Sequence, residues 1–171
     1  DALAAADLRA APDERAFAAA VARRAAGLPP GTWIRSGQWD HEAWPGQRRP
    51  TRGLLDAAAP RHPVFLRRID GHMGVANSLA LNLAGITRAS TDPAGGTIER
   101  DPVSREPTGI LVDAAMDQIT RHIPEPTPEE RFQAAMAATR HAAALGVTSV
   151  QYSGGMEEFQ ALQDLERRGA L

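Results

Sequence analysis

The alternation of apolar and polar residues predicts three long helices, which cover residues 12–27, 127–145 and 157–168. The first two begin with proline and acidic residues, which suit the free amide groups and the positive end of the helix dipole. Glycine stands at or just after the end of each of these two, as it does in many helices. In the third helix, the spacing predicts that Phe159, Leu162 and Leu165 face inward.

Short apolar runs predict strands at residues 32–36, 64–69, 97–100 and 147–152. The second run ends in polar residues and turns through Gly71 into a predicted helix at residues 75–83. One face of a further helix is predicted by the four-residue spacing of Leu111, Ala115, Ile119 and Ile123.

A domain boundary is predicted at Pro124-Glu125-Pro126, because closely spaced X-Pro steps interrupt regular structure. Residues 1–124 are then a small α/β domain with a short mixed sheet and helices. Residues 125–171 form a helix, a strand and a helix, which is one unit of a βα-repeat fold. The sequence therefore predicts the α/β class in two parts.

The composition excludes several classes of partner and site. The net charge of −2 disfavours nucleic acid and anionic membranes, since both attract a basic surplus. No apolar run approaches the roughly 20 residues that cross a bilayer. The chain has no Cys and no Lys, so neither a thiolate ligand nor a lysine-based metal bridge can form. Without an initial Met or a signal-peptide pattern, it is expected to be a piece of a longer cytoplasmic protein.

The five histidines predict no complete metal centre. They stand at positions 41, 62, 72, 122 and 141, never as His-x-His and never four residues apart. A catalytic zinc-type site needs three or more converging His or carboxylate ligands. We therefore expect no metal ligands and no catalytic residues within this chain.

Four residues are predicted to face a substrate: Trp39, Asp70, His72 and Asn77. His72 can hydrogen-bond a substrate carbonyl or move a proton, with Asp70 orienting its ring. The structural alternative is that Asp70 caps the following helix, while His72 and Asn77 bond the loop backbone. Trp39, in a loop with Trp44, either forms an apolar wall for the substrate or anchors that loop.

Three motifs carry a resemblance to a known family: RRIDGHMGVANSLAL at residues 67–81, GILVDAA at 109–115 and GVTSV at 146–150. Together they resemble amidohydrolase family 3, the branch of metal-dependent hydrolases that includes N-substituted formamide deformylase-like enzymes. The resemblance covers nearly the whole chain. Trp39-Asp40 is similar to the Gly-Trp-Asp loop of that family, with Gln38 in place of Gly. Asp113 stands where the family commonly has Glu, either approaching a site or as a solvated or capping carboxylate.

The resemblance implies a whole enzyme that uses a zinc-like divalent metal and a TIM-type barrel to hydrolyse an amide-like C–N bond in a small molecule. Residues 1–124 are then the substrate-covering insertion between the first two barrel strands, and residues 125–171 are the second barrel unit. The chain by itself is non-catalytic, and its partners are the rest of the barrel and the substrate. An exposed apolar patch also predicts a homodimer. The alternative is a non-catalytic interaction or regulatory module derived from the same fold.

Overall fold

The computed structural model describes residues 8–35 and 37–170, and its elements divide between two compact units. The first unit ends at Ile123 and the second begins at Pro124. The first unit holds α1 (Glu14–Ala26), β1 (Ile34–Arg35), α2 (Arg52–Ala58), β2 (Val64–Arg67), β3 (Met73–Ala76), α3 (Ser78–Leu83), β4 (Gly96–Arg100), β5 (Pro107–Asp113) and α4 (Asp117–Thr120). The second unit holds α5 (Pro128–Ala144) and α6 (Met156–Arg167). None of these helices is long and apolar enough to span a membrane.

A five-stranded mixed sheet lies at the centre of the first unit, with the strand order β1-β2-β3-β5-β4. β1 runs parallel to β2, and all other neighbours are antiparallel. Of the strand predicted at residues 32–36, Ile34 and Arg35 pair with β2, and Ser36 lies outside the described residues. The prediction of a mixed α/β fold with a short sheet is confirmed.

Both faces of the sheet carry an apolar core. Leu66 of β2 belongs to a buried cluster with Phe17 of α1 and Leu55 of α2. Its neighbour Phe65 belongs to a second cluster that includes Leu81 of α3. Because successive side chains of a strand point to opposite faces, a strand covered on both sides reads as a continuous apolar run. This explains why β2 was visible in the sequence without any polar alternation.

The segment after the Gly71 turn differs from the prediction, because it forms a second strand before it forms a helix. β3 pairs antiparallel with β2, so that Leu66 lies opposite Val75, and α3 begins only at Ser78. The predicted helix at residues 75–83 is therefore wrong over its first residues. Gly74 favours the strand, since a Cβ there would lie 2.5 Å from the Phe65 ring, and both Gly and β-branched Val are weak helix formers.

The helix face predicted from Leu111 onward is also wrong at its start. Leu111 lies in β5, and helical turns begin at Ala114. Leu111, Ala115 and Ile119 nevertheless share one buried cluster, with Ile123 packed against it. The spacing identified the buried side correctly. It did not separate a strand followed by a helix from a single helix, because either arrangement brings these residues to the same core.

The second unit consists of α5 and α6. Thr127 begins α5 through two reciprocal hydrogen bonds: its Oγ1 accepts from the Glu130 amide at 3.2 Å, and Glu130 Oε2 accepts from the Thr127 amide at 2.7 Å. This arrangement satisfies two backbone donors at once and confirms the predicted start of the helix. Arg131 of α5 forms an ion pair with Glu157 of α6 at 2.8 Å.

The strand predicted at residues 147–152 is absent from the structure. Residues 147–155 have no regular secondary structure and are exposed. A strand requires a neighbour for its amide and carbonyl groups, and no segment among residues 8–35 and 37–170 pairs with this one. The following helix turns Ala161 and Leu165 inward, whereas Phe159, predicted to face inward, is exposed.

Candidate functional site at the β2–β3 turn

The turn between β2 and β3 places Asp70 and His72 on the surface. Gly71 has φ +78 there, a left-handed conformation that glycine adopts without strain. The Gly71 amide donates to the Arg68 carbonyl at 3.0 Å, and the His72 amide donates to Asp70 Oδ1 at 3.2 Å. Asp70 therefore caps this turn and not helix α3, which corrects the capping role considered from the sequence.

The His72 ring is held by Asp113, which arrives from β5. His72 Nδ1 lies 2.9 Å from Asp113 Oδ1, and the Asp113 amide donates to the His72 carbonyl at 3.0 Å. The hydrogen bond to Asp113 and the charge of that carboxylate raise the pKa of His72, and the charge of Asp70 raises it further. The His72 side chain is 77% exposed, so the imidazole can meet a ligand from solvent.

Asp113 has a backbone conformation that is rare for any residue with a side chain, with φ 48 and ψ −124. It ends β5, where the chain bends into the short 3₁₀ helix Ala114–Met116. Beside it in β4 lies Gly96, at which a Cβ would come within 2.2 Å of the Ala115 amide nitrogen. The chain therefore turns sharply at Asp113 in a place with little room.

Arg68 joins the turn to the short 3₁₀ helix that contains Glu42. Its Nη2 lies 2.8 Å from Glu42 Oε1 and 3.6 Å from Asp70 Oδ2. We call Glu42, Arg68, Asp70, His72 and Asp113 the hairpin-end cluster. Three carboxylates and one guanidinium give it a net charge of −2 when His72 is neutral and −1 when His72 is protonated.

Trp39 does not face a substrate in this structure, because its side chain is completely buried. Its Nε1 donates to the Leu66 carbonyl at 2.9 Å, and its ring packs near Phe17 and Trp44. Its carbonyl accepts from the Ile69 amide at 3.0 Å, so Trp39 anchors the base of the hairpin. Trp39 therefore does not contribute to the exposed apolar patch from which a homodimer is predicted, and the homodimer stays a prediction.

Asn77 is likewise buried and takes the structural role of the two that the sequence allowed. Its Oδ1 accepts from the Val64 amide and the Ala80 amide, both at 3.0 Å. Its Nδ2 donates to the His62 carbonyl at 2.8 Å. Asn77 thus begins α3 and ties that helix to β2, and it has no exposed surface for a substrate.

His41 is a further buried residue of this region, which sequence reasoning considered only as a metal ligand. Its ring centroid lies 5.6 Å from that of Trp39. Burial lowers the pKa of His41, and the nearby positive charges of Arg68 and Arg49 lower it further. Nδ1 of His41 is buried without a partner in the described part of the chain. The only sequence signal was its position directly after the Trp39-Asp40 pair.

The loop before Trp39 carries a second backbone signal. Gln38 has φ +54, in the left-handed region where glycine is favoured. This is the position at which the resembling family commonly has Gly. The left-handed conformation at this position explains why the family commonly has Gly there, and Gln38 adopts that conformation in this chain.

The described residues do not supply a metal centre. Nowhere among residues 8–35 and 37–170 do three His, Asp or Glu side chains converge in a way that holds an ion. The hairpin-end cluster instead offers one exposed imidazole backed by a carboxylate, which can donate or accept a proton. It can therefore bind a polar group or move a proton, and neither role needs a metal ligand from this chain.

The chain belongs to the amidohydrolase family, whose profile matches residues 2–171. It is 47% identical over 120 residues to Protein LONG AFTER FAR-RED 3 of Arabidopsis thaliana, covering 70% of this chain and 20% of that protein. It is 44% identical over 95 residues to N-substituted formamide deformylase of Arthrobacter pascens, covering 56% of this chain and 17% of that enzyme.

A solved structure has a similar fold over nearly the entire chain. The crystal structure of an uncharacterized metal-dependent hydrolase from Pyrococcus horikoshii matches with a TM-score of 0.64 and 28% identity. The match covers 99% of this chain and 31% of that chain. The chain therefore spans less than a third of the length of these relatives.

Proposed function

We propose that this chain is part of a metal-dependent amidohydrolase that hydrolyses an amide-like C–N bond in a small molecule. The observation that carries the proposal is the family match across residues 2–171. The share of 17–31% that the chain represents in its relatives fits a segment of a larger enzyme. The divalent metal and its ligands then belong to the rest of that enzyme, since the described residues fit no metal.

In this proposal the chain has no activity by itself, because the metal and its ligands lie elsewhere in the enzyme, and within the whole enzyme it helps to shape the mouth of the active site. Asp70 and His72 are the residues that meet the substrate, because both are exposed in the turn at the end of the β2–β3 hairpin. Trp39 and Asn77 support that hairpin from within the core. Rigid support of this kind keeps a binding group in place while the surrounding loops vary.

The two units have different places in this proposal. Residues 1–124 are an insertion that covers the substrate, and residues 125–171 are a partial barrel unit. In the whole enzyme, residues 147–152 gain the strand neighbours that they lack here. Val147, Val150 and Tyr152 support this assignment, because they are suited to a strand and are exposed in this structure at 43%, 71% and 48%.

A second candidate function is an interaction or regulatory module that keeps the family fold without its chemistry. It is favoured by the 47% identity to the Arabidopsis protein, whose name states no enzymatic activity. The two candidates differ in a measurable way, because only the enzyme binds metal and turns over substrate.

The test uses the whole protein that contains this chain. Its metal content is measured, and hydrolysis of a panel of N-substituted formamides and simple amides is followed before and after a chelator. We expect metal-dependent turnover of at least one substrate. A folded protein that holds no metal and hydrolyses nothing contradicts the enzyme and supports the module.

The role of His72 is tested in the same assay by His72→Ala. A loss of about tenfold or more in kcat/KM is expected, with unchanged metal content, if His72 binds the substrate or moves a proton. His122→Ala is the matched control, because His122 is also exposed but lies outside the hairpin-end cluster. Equal activity of the two variants removes His72 from the proposed site.

A further inference from the structure

We propose that Asp113 is a positioning residue for His72: it holds the imidazole by Nδ1 so that Nε2 is presented to a neutral, polar group of the substrate such as an amide oxygen. This inference rests on the proposed function, since it names the role of a second residue at the same site. It assigns a role to Asp113, for which the sequence allowed either an approach to a site or a solvated or capping carboxylate.

The first support is the number of constraints that join the two residues. The side-chain hydrogen bond at 2.9 Å and the backbone hydrogen bond at 3.0 Å connect the same pair. Met73 lies opposite Val112 in the sheet, so the β3–β5 pairing sets the register at which they meet. Two exposed side chains that met by chance would lack both this backbone hydrogen bond and this fixed strand register. The ring orientation is therefore built into the sheet.

The second support is the backbone of Asp113. A glycine takes φ 48 and ψ −124 without the strain that a Cβ introduces there. Asp stands at this position even though its side chain is 49% exposed. Strained conformations of this kind are concentrated at functional sites. The hydrogen bond made by the carboxylate is thus the property of Asp113 that offsets its unfavourable backbone conformation.

The chemistry follows from the hydrogen bond. The Asp113 carboxylate accepts a hydrogen bond from Nδ1–H of His72. A neutral His72 therefore carries its proton on Nδ1 and has a free electron pair on Nε2. A protonated His72 has a donor at Nε2 in the same position. Asp113 thereby fixes which nitrogen meets the ligand in both states, and the ring can donate to an amide oxygen or take up a proton there.

The charges around the ring favour a neutral ligand over an anionic one. Asp113 and Asp70 both face His72, and Arg68 is already paired with Asp70 and Glu42. The hairpin-end cluster keeps a negative charge whether or not His72 is protonated. A carboxylate or phosphate on the substrate is repelled by that charge, whereas an amide group is not.

The first test measures the ring directly, by nitrogen NMR of His72 in the labelled 171-residue chain across a pH titration. At high pH we expect the proton on Nδ1 in the original chain and in Asp113→Asn, which keeps an acceptor oxygen. We expect that preference to be lost in Asp113→Ala. The pKa of His72 should fall in both variants, and fall further than in Asp70→Asn, because Asp113 is the larger cause of its elevation.

A variant at the same position separates positioning from stability. Asp113→Gly should unfold at a urea concentration no lower than that of the original chain, because glycine relieves the backbone, while the Nδ1 preference of His72 disappears. A clear loss of stability in Asp113→Gly, or an unchanged His72 tautomer in Asp113→Ala, overturns the proposal. Either result leaves the proposed amidohydrolase function standing.

The second test follows kcat/KM against pH in the whole enzyme. We expect Asp113→Asn to shift the His72-dependent limb to lower pH and Asp113→Ala to lose about tenfold in kcat/KM. A substrate with an added carboxylate should bind more weakly than its neutral analogue. Unchanged pH profiles of kcat/KM in both variants contradict the positioning role. Loss of turnover on metal removal tests the amidohydrolase function of the whole enzyme and not the role of Asp113.

Discussion

Residues 64–67 and residues 147–150 are both short runs rich in strand-forming residues, and they have opposite outcomes. Residues 64–67 form β2, between β1 and β3, with Val64, Phe65 and Leu66 buried. Residues 147–150 form no strand, and Val150 is 71% exposed. The difference is the presence of pairing partners. A strand-like sequence is therefore able to pair, but it forms a strand only where neighbouring strands are available.

The same contrast extends to the interiors of the two units. The first unit has a sheet with a buried cluster on each face. Among the residues described, the buried side chains of the second unit are few: Phe132, Ala161 and Leu165. Removal of a buried side chain should therefore lower the free energy of unfolding most in the first unit. Helix capping should contribute a larger share of the stability in the second unit than in the first.

The largest expected effect is that of Trp39→Ala in the first unit. Trp39 is fully buried and hydrogen-bonded, so its truncation leaves a large cavity and should lower the free energy of unfolding by about 3–5 kcal/mol. Urea denaturation of the chain measures it. Phe159→Ala in the second unit is the counterpart, and because Phe159 is exposed its effect should be much smaller. Equal losses would show that the two units are equally packed.

The next effect is that of Asn77→Ala, which removes three buried hydrogen bonds. Backbone groups of β2 and α3 lose their partners, and we expect a loss of about 2–3 kcal/mol in the free energy of unfolding. Asn82→Ala is the control, since Asn82 is exposed on the same helix. A loss for Asn77→Ala no greater than the control's would mean that water replaces the side chain.

A smaller effect is expected from Thr127→Ala in the second unit. The change removes the side-chain acceptor that begins α5, and it should cost about 1 kcal/mol. Thr139→Ala, within the same helix, should be neutral or slightly stabilising because Ala is the better helix former. The helical circular dichroism signal during thermal unfolding separates the two. A reversed order would show that α5 is held by packing and not by its cap.

The smallest effect is expected from Val150→Thr, which should change the free energy of unfolding by less than about 0.5 kcal/mol because the side chain is exposed. The same substitution at buried Val64 should cost about 1–3 kcal/mol, since it places a hydroxyl in the core. Hydrogen exchange gives an independent reading: amides of residues 147–150 should exchange freely, and those of β2 slowly. Protection at Val150 would show a pairing that the structure lacks.

Prediction from the sequence succeeded where local chemistry decides the outcome. The start of α5 follows from Thr127 and Glu130, and α1 begins after Asp13, whose carboxylate accepts from the Ala16 amide at 2.7 Å. β2 follows from an apolar run. The predicted helix over residues 75–83 was wrong where Gly74 and Val75 join the sheet, since the partner strands lie elsewhere in the sequence.

For the candidate site, the sequence predicted that Asp70 and His72 face a substrate, which stays a prediction, and it gave Asp113 no clear role. Asp113 lies 41 residues after His72, and only the β3–β5 pairing brings the two together. The sequence also could not distinguish the exposed His72 from the buried Asn77, because both are polar residues near one turn. Burial is a property of the packed sheet and not of the motif.

The sequence by itself determined the family, the α/β class and the starts of the long helices, because these depend on motifs and on residues within a few positions of each other. The tertiary structure decided which runs became strands, that Trp39 and Asn77 are internal supports, and that His72 meets Asp113. Backbone hydrogen bonds between strands join distant residues, and burial depends on what packs above them. Neither quantity is encoded in any short segment of the chain.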